Sequence, residues 1–246
     1  MTDTTDDALL GGRVRLRQPA RGHRAGTDAV LLAAAAGAKP GDMVMDIGAS
    51  TGAVGLMVAS RVPEARLVFV ERDQALADLC RYNCENNGLQ AQVAVADILD
   101  KASRHRTDLA PESANLVLTN PPFLEEGQAR LSPDFRRAAA HALPAGGLEA
   151  WLSACIGLLR PKGRLVLIHR ADRLPDCLSA VAGRLGGLEI RMVHPNAGEA
   201  AIRFLLTGTK ASRAPLTVAP PVILNGTEGR FTPQAEALHR GEAYLP

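Results

Sequence analysis

The most constraining stretch of the chain is Leu116-Val117-Leu118-Thr119-Asn120-Pro121-Pro122-Phe123. Its apolar first half reads as a strand covered on both faces, as in a parallel sheet. The two prolines end that strand, because they forbid further ladder donation and an immediate helix. Asn120 is thereby held at the carboxyl end of a strand, where open α/β sheets bind their ligands. Phe123 comes next, on a stiff, exposed arm. On their own the four letters NPPF favour a plain Pro-Pro turn, and the rest of the chain has to decide.

The same punctuation recurs upstream. Residues 43–47 predict a short buried strand, running into Asp46-Ile47-Gly48-Ala49-Ser50-Thr51-Gly52 and then a helix, AVGLMVASR. Strand, glycine-rich turn and helix N-terminus together make a nucleotide or nucleoside cofactor site. The spacing is G-x-x-x-G, with Ser50 where a middle glycine is expected, so it is not the dinucleotide fingerprint. Asp46 suits a ligand with a cationic ammonium or sulfonium group better than a pyrophosphate. The next strand, 67–70, ends in Glu71, an acid about 20 residues past the turn and placed for ribose hydroxyls. A helix over 74–87 stops at Gly88. The strand 92–96 ends in Asp97, which suits either an acceptor for an adenine amino group or a cap for the segment after it. Polar residues thus close four successive strands.

The flanks are less regular. Residues 1–12 read as flexible. Residues 13–24 (RVRLRQPARGHR) carry Arg21 and Arg24, and RVRLR alternates like a short strand with one charged face. This is either a solvated edge or a phosphate-contacting arm. Asp28 opens an apolar helix, AVLLAAAAG, at the end its charge favours. The basic run KASRHR (101–106) reads as a loop. Residues 124–147 read as a long loop with a helical turn near 135–142, where Arg136, Arg137 and His141 either meet a polyanion or form a solvated face. A helix over 148–159 holds Trp151. After it come a turn at 161–163, a strand at 164–169, and a helix over 175–185 ended by Gly186-Gly187. Two strands at 188–193 and 200–206, joined like a hairpin, then close the sheet. The expected plan is an α/β fold with a seven-stranded, mostly parallel sheet and helices on both faces. It divides into an arm and helix (1–40), a sheet domain (41–207) and a tail packed back on it (208–246).

Composition narrows the setting. The chain has 246 residues, 46% hydrophobic and 22% charged, with a net charge of +2, which permits an anionic partner without demanding one. Aromatics are only 3%, so each one on a loop stands out. Cys80, Cys84, Cys155 and Cys177 lack metal or redox spacing and read as small buried thiols of a reducing compartment. No signal-like N-terminus or membrane-length apolar run is seen. The expectation is a cytoplasmic, metal-free monomer. His169 and His194 read as structural.

Beside such a turn, Asn-Pro-Pro-aromatic suits one chemistry. A planar amine such as adenine N6 is a poor nucleophile because its lone pair is delocalised. The side-chain oxygen of Asn120 and the carbonyl of Pro121 can accept from that NH2, aim the lone pair at an incoming methyl group and stabilise the developing positive charge. Phe123 can stack on the ring. No strong base is needed, and positioning carries most of the rate.

These residues resemble the class I, Rossmann-like methyltransferases that use S-adenosyl-L-methionine. More narrowly, they are similar to the N-P-P-F small-domain type and the bacterial tRNA1(Val) adenine N6-methyltransferase family. The likeness runs from about Arg21 to Leu238 through TDAVLLAA (27–34), DIGASTGAVGL (46–56), FVERD (69–73), NPPF (120–123), LLRPKGRLVLIHRADRL (158–174) and TGTKASRAPLTVAPPVILNGTEGRFTPQAEA (207–237). It departs at Ser50, for glycine, and at Asn225, for histidine. The resemblance implies a cofactor pocket of Asp28, Asp46, Gly48, Ser50, Gly52, Glu71, Asp97 and Asn120. It implies chemistry at Asn120, Pro121 and Phe123. It also implies a substrate side of Pro122, Phe123, Arg21, Arg24, Arg136 and His141, with tRNA as partner. Protein glutamine N5-methylation, guanine N2-methylation and a non-catalytic cofactor- or RNA-binding module are the alternatives. The short N-terminal stretch speaks against the first, and Asn120 against the last.

Overall fold

The computed structural model describes residues 3–22, 24–122, 147–226 and 229–245. Its strands are β1 (Thr4–Leu9), β2 (Val14–Pro19), β3 (Met43–Ile47), β4 (Arg66–Glu71), β5 (Gln92–Val95), β6 (Ala114–Thr119), β7 (Leu159–Arg170), β8 (Leu185–His194), β9 (Arg203–Lys210), β10 (Thr217–Val218) and β11 (Val222–Ile223). Its α-helices are α1 (Thr27–Ala35), α2 (Ala53–Arg61), α3 (Gln74–Asn86), α4 (Lys101–Arg106), α5 (Gly147–Leu158), α6 (Leu174–Val181) and α7 (Pro233–Arg240).

The main sheet runs β10-β8-β9-β7-β6-β3-β4-β5, with β11 also paired to β8. Strands β3 to β7 are parallel to their neighbours in this run, and β9 runs against both β7 and β8. Seven strands match the expected plan. The tail adds the two-residue strands β10 and β11 beside β8, making nine. Alternation along each strand feeds two cores, as a sheet covered on both faces requires. Val44, Leu67, Phe69, Leu116 and Leu118 pack with α1, α2 and part of α3. Met45, Ile47, Val68, Val70 and Val117 pack with α5 and α6 on the other face.

Three expectations are corrected. Residues 3–12 are not a flexible lead: β1 pairs antiparallel with β2 from Thr4↔Pro19 to Leu9↔Val14. Acidic residues are poor strand formers locally, but Asp6 pairs with Arg17 and Asp7 with Arg24, each at 2.8 Å. The run KASRHR is a helix rather than a loop. Asp100 caps it by accepting from the Ala102 N–H at 2.8 Å, and its cationic last turn suits the helix dipole. Gly186-Gly187 does not end α6, which stops at Val181. The pair lies inside β8 at a register shift, where the tail runs so close that a β-carbon on Gly186 would come within 2.3 Å of the Ser212 carbonyl oxygen.

The hairpin is fastened to α3 by two asparagines one turn apart. Asn83 accepts from the Arg17 N–H at 2.7 Å and donates to the Arg17 carbonyl at 2.8 Å. Asn87 does the same for Arg15, at 2.9 and 2.7 Å. Each amide imitates a strand partner and covers the open edge of β2. Asn83 also donates to the Thr51 carbonyl at 2.9 Å, joining the hairpin to the glycine turn.

Gly55 carries α2 against the sheet. A β-carbon there would stand 2.3 Å from Cε1 of Phe69, a fully buried ring. Gly55→Ala should therefore destabilise the fold by about 1–3 kcal/mol through overpacking. Chemical denaturation measures it, and an unchanged midpoint would mean that Phe69 shifts freely.

Candidate active site

The glycine turn leads directly out of β3. Gly48, Ser50 and Gly52 have φ of 74°, 51° and 87°. Two of these left-handed positions hold glycine, which takes them without strain. Ser50 takes the third at a modest steric cost, so the absent middle glycine leaves the turn intact. Gly48 and Ala49 donate to the Val70 carbonyl at 2.9 and 3.0 Å, and the Ser50 N–H donates to Glu71 Oε2 at 2.8 Å. The turn is thus moulded onto the end of β4. Gly52 leads into α2 with no side-chain cap. Asp46 fills that part from inside the sheet: its Oδ2 accepts from the Gly55 N–H at 2.9 Å, placing a carboxyl at the helix's positive end.

Asp46 is only 2% exposed. Burial pushes its carboxyl up to about 7, the Gly55 hydrogen bond opposes the rise, and neighbouring Glu71 adds to it. Glu71 is also buried and accepts from the Asp73 N–H at 2.9 Å. Asp97 lies two residues beyond β5 and accepts from the Leu99 N–H at 2.8 Å, so it does cap the residues after it.

Strand β6 ends beside this turn. Ile47 and Thr119 are register partners, so the next residues, Gly48 and Asn120, leave the sheet from neighbouring ladder positions. Pro121 is buried and Pro122 half-buried. Asn120 Oδ1 is a buried acceptor with no hydrogen-bond partner among the described residues. Such an oxygen costs on the order of 1–3 kcal/mol when left unsatisfied and marks a place made for a donor.

Of the other expected site residues, two are held in ion pairs. The Asp28 carboxylate pairs with Arg203 at 2.9 Å, on β9, which β6 and β7 separate from β3. Arg24 is held by Asp7 and Thr5, each at 2.8 Å, and by the Pro19 carbonyl at 3.0 Å. Arg21 is exposed. Phe123, Arg136, Arg137 and His141 lie outside the described residues. All four cysteines are buried and free of disulfides.

Two residues at the site were not singled out from the sequence. Trp151 donates from Nε1 to Thr119 Oγ1 at 2.9 Å, and Thr119 donates to the Ile47 carbonyl at 2.9 Å. The one available signal was that Trp151 is the sole tryptophan of an aromatic-poor chain. Among the described residues no group of three His, Cys, Asp or Glu is gathered to hold a metal. None of their helices is long and apolar enough to cross a membrane.

Buried carboxyl groups beside a glycine turn suit a nucleoside bearing positive charge, and an amide oxygen without a partner among the described residues suits an N–H donor. Both features fit an α/β methyltransferase site. Residues 25–155, more than half of the chain, match the family model described as methyltransferase small domain, and the chain belongs to that family. It is 32% identical over 222 residues to the tRNA1(Val) (adenine(37)-N6)-methyltransferase of Porphyromonas gingivalis, covering 86% of this chain and 85% of that one. A protein of the same name from Pedobacter heparinus is 32% identical over 187 residues, covering 74% and 76%. A crystal structure from Agrobacterium tumefaciens, described as a predicted O-methyltransferase, superposes with a TM-score of 0.75 at 32% identity, covering 89% and 98%. The methyl donor is S-adenosylmethionine. The residues fit it, with glycines where backbone must approach and acids for hydroxyls and positive charge.

The Asp46 carboxyl holds its proton more tightly folded than unfolded, where the value is near 3.8. The stability this confers is full below about pH 4 and is lost as pH rises to about 7. Asp46→Asn keeps an acceptor for Gly55 and removes the titration. It should flatten the stability profile between those values and be the more stable protein above pH 7. Urea denaturation from pH 4 to pH 9 tests this, and parallel wild-type and variant curves would refute it.

Proposed function

We propose that this protein methylates N6 of an adenine in a tRNA, using S-adenosylmethionine. The observation that carries the reading is the buried Asn120 Oδ1, unpartnered among the described residues, set before two prolines and beside the glycine turn. An exocyclic NH2 offers two donors. One goes to Asn120 Oδ1 and the other to the Pro121 carbonyl, which turns the nitrogen lone pair toward the methyl donor. When bound, S-adenosylmethionine supplies a methyl group on a sulfonium whose sulfur leaves as a neutral thioether. The acceptors stabilise the positive charge that grows on nitrogen, and the proton then passes to solvent. The names of the relatives from Porphyromonas gingivalis and Pedobacter heparinus support adenine in tRNA as the target.

Methylation of a hydroxyl is the competing reading, raised by the Agrobacterium tumefaciens neighbour. It needs a base to take the hydroxyl proton. Asn120 cannot act as one, and Asp46 is buried and engaged with Gly55. An amine loses its proton only after alkylation, so the amine reading fits better.

In this reading Glu71 and Asp97 face the nucleoside of the cofactor, Gly48, Ser50 and Gly52 let it approach, and Asp46 favours its positive charge. Asp28 acts indirectly, by fixing α1 to β9. Phe123, Pro122, Arg136 and His141 belong to the base and RNA side. The protein works as a metal-free cytoplasmic monomer, with an arm and helix (1–40), a catalytic domain (41–207) and a packed tail (208–246).

Labelled methyl transfer to total tRNA, with digestion to nucleosides, is the direct test. Label is expected in N6-methyladenosine. Label in a guanosine or only in protein would move the target, and label in a ribose hydroxyl would establish the competing reading. Asn120→Ala should lower turnover by about 10²–10³ and keep cofactor affinity. An equal collapse of both would remove Asn120 from the amine. Arg21→Ala should reduce the salt slope of RNA binding by about 1, and an unchanged slope would take Arg21 off the RNA.

A further inference from the structure

We propose that Trp151 is a positioning residue that sets the distance between the glycine turn holding the cofactor and the asparagine holding the target amine. The role given to Asn120 rests on the reading above. The geometry of the tryptophan stands by itself.

Trp151 lies on α5 and is 7% exposed. Its indole N–H donates to the Thr119 hydroxyl, which donates in turn to the Ile47 carbonyl, each at 2.9 Å. A hydroxyl has one proton, so this order is the only one the three groups allow. Ile47 immediately precedes Gly48, and Thr119 immediately precedes Asn120. The pairing of β3 with β6 ends at these two residues, so backbone hydrogen bonds no longer hold the strands together beyond them. The hydrogen-bonded chain ties them at that point. The far edge of the same indole lies against the turn: a β-carbon on Gly48 would come within 3.2 and 3.3 Å of Cζ2 and Cη2. One rigid side chain therefore bears on the cofactor turn and on the root of Asn120. A misplacement of about 1 Å between reacting groups can cost about a hundredfold in rate.

A tryptophan that only fills core would keep its stability role if the hydrogen bond were lost. Trp151→Phe keeps an aromatic ring and removes the donor. Thr119→Val keeps the shape and removes the hydroxyl. Each is expected to lower kcat about tenfold, with KM for S-adenosylmethionine changed less than about threefold. Thr119→Ser should recover most of the turnover that Thr119→Val loses. The double variant should be no worse than the poorer single one, because both break the same chain. Losses that multiply in the double variant, or single variants with lowered Tm and unchanged kcat, would overturn the proposal.

Hydrogen exchange gives a readout that needs no substrate. In Trp151→Phe the amides of Gly48 and Ala49, which donate to the Val70 carbonyl, should exchange faster together with Asn120, while the middle of α5 stays protected. If wild-type protein leaves tRNA unlabelled but this joint loosening appears, the substrate reading fails and the positioning role stands. Faster exchange confined to α5 would reduce Trp151 to core packing.

Discussion

The parallel pairing of β3 with β6, in register at Ile47 and Thr119, brings the glycine turn and Asn120 together. Both strands are covered on two faces, so a slip of one residue would exchange every side chain between the two cores. Apolar burial therefore enforces the register, and the register aligns the points where the two chains leave the sheet. A side chain and a main-chain carbonyl 72 positions apart in sequence meet there through the Thr119 hydroxyl.

The polar groups around this point divide by whether they are satisfied. Asn83 is fully buried. Its oxygen accepts one backbone N–H, and its nitrogen donates to two carbonyls. A network so complete holds the hairpin, α3 and the glycine turn in one arrangement. Asn120 is the same residue type in the opposite state, with a buried oxygen lacking a partner among the described residues. Asp46 stands between these states, hydrogen-bonded yet buried enough to hold its proton to about pH 7. A positive ligand beside it would favour the carboxylate, so its burial is relieved by the kind of cofactor the site takes.

The ion pairs do different work. The pairs of Arg17 with Asp6, Arg24 with Asp7 and Arg203 with Asp28 are partly exposed, where such pairs contribute little to stability. They settle geometry, closing the hairpin and fixing the start of α1 against β9. A net charge of +2 makes only a weak long-range field. In the proposed reading, RNA recognition therefore depends on a few placed contacts.

The sequence by itself determined the parts whose signals are local. Apolar runs marked strands buried on two faces, and Gly48 to Gly52 marked a tight turn into a helix. Glu71 and Asn120 marked strand ends, because spacing and proline constrain backbone wherever they occur. Only the tertiary structure decided what distant groups do to one another. Asp6 and Asp7 look unfit for a strand until Arg17 and Arg24 stand opposite them. Gly186-Gly187 looks like a helix stop until the tail is seen running across it. Asp28 looks like a lone charge at a helix start until Arg203 arrives from β9. Trp151 looks like any core aromatic until its N–H is seen to reach Thr119. Each of these depends on a partner remote in sequence, and burial chooses that partner without leaving a local pattern to read.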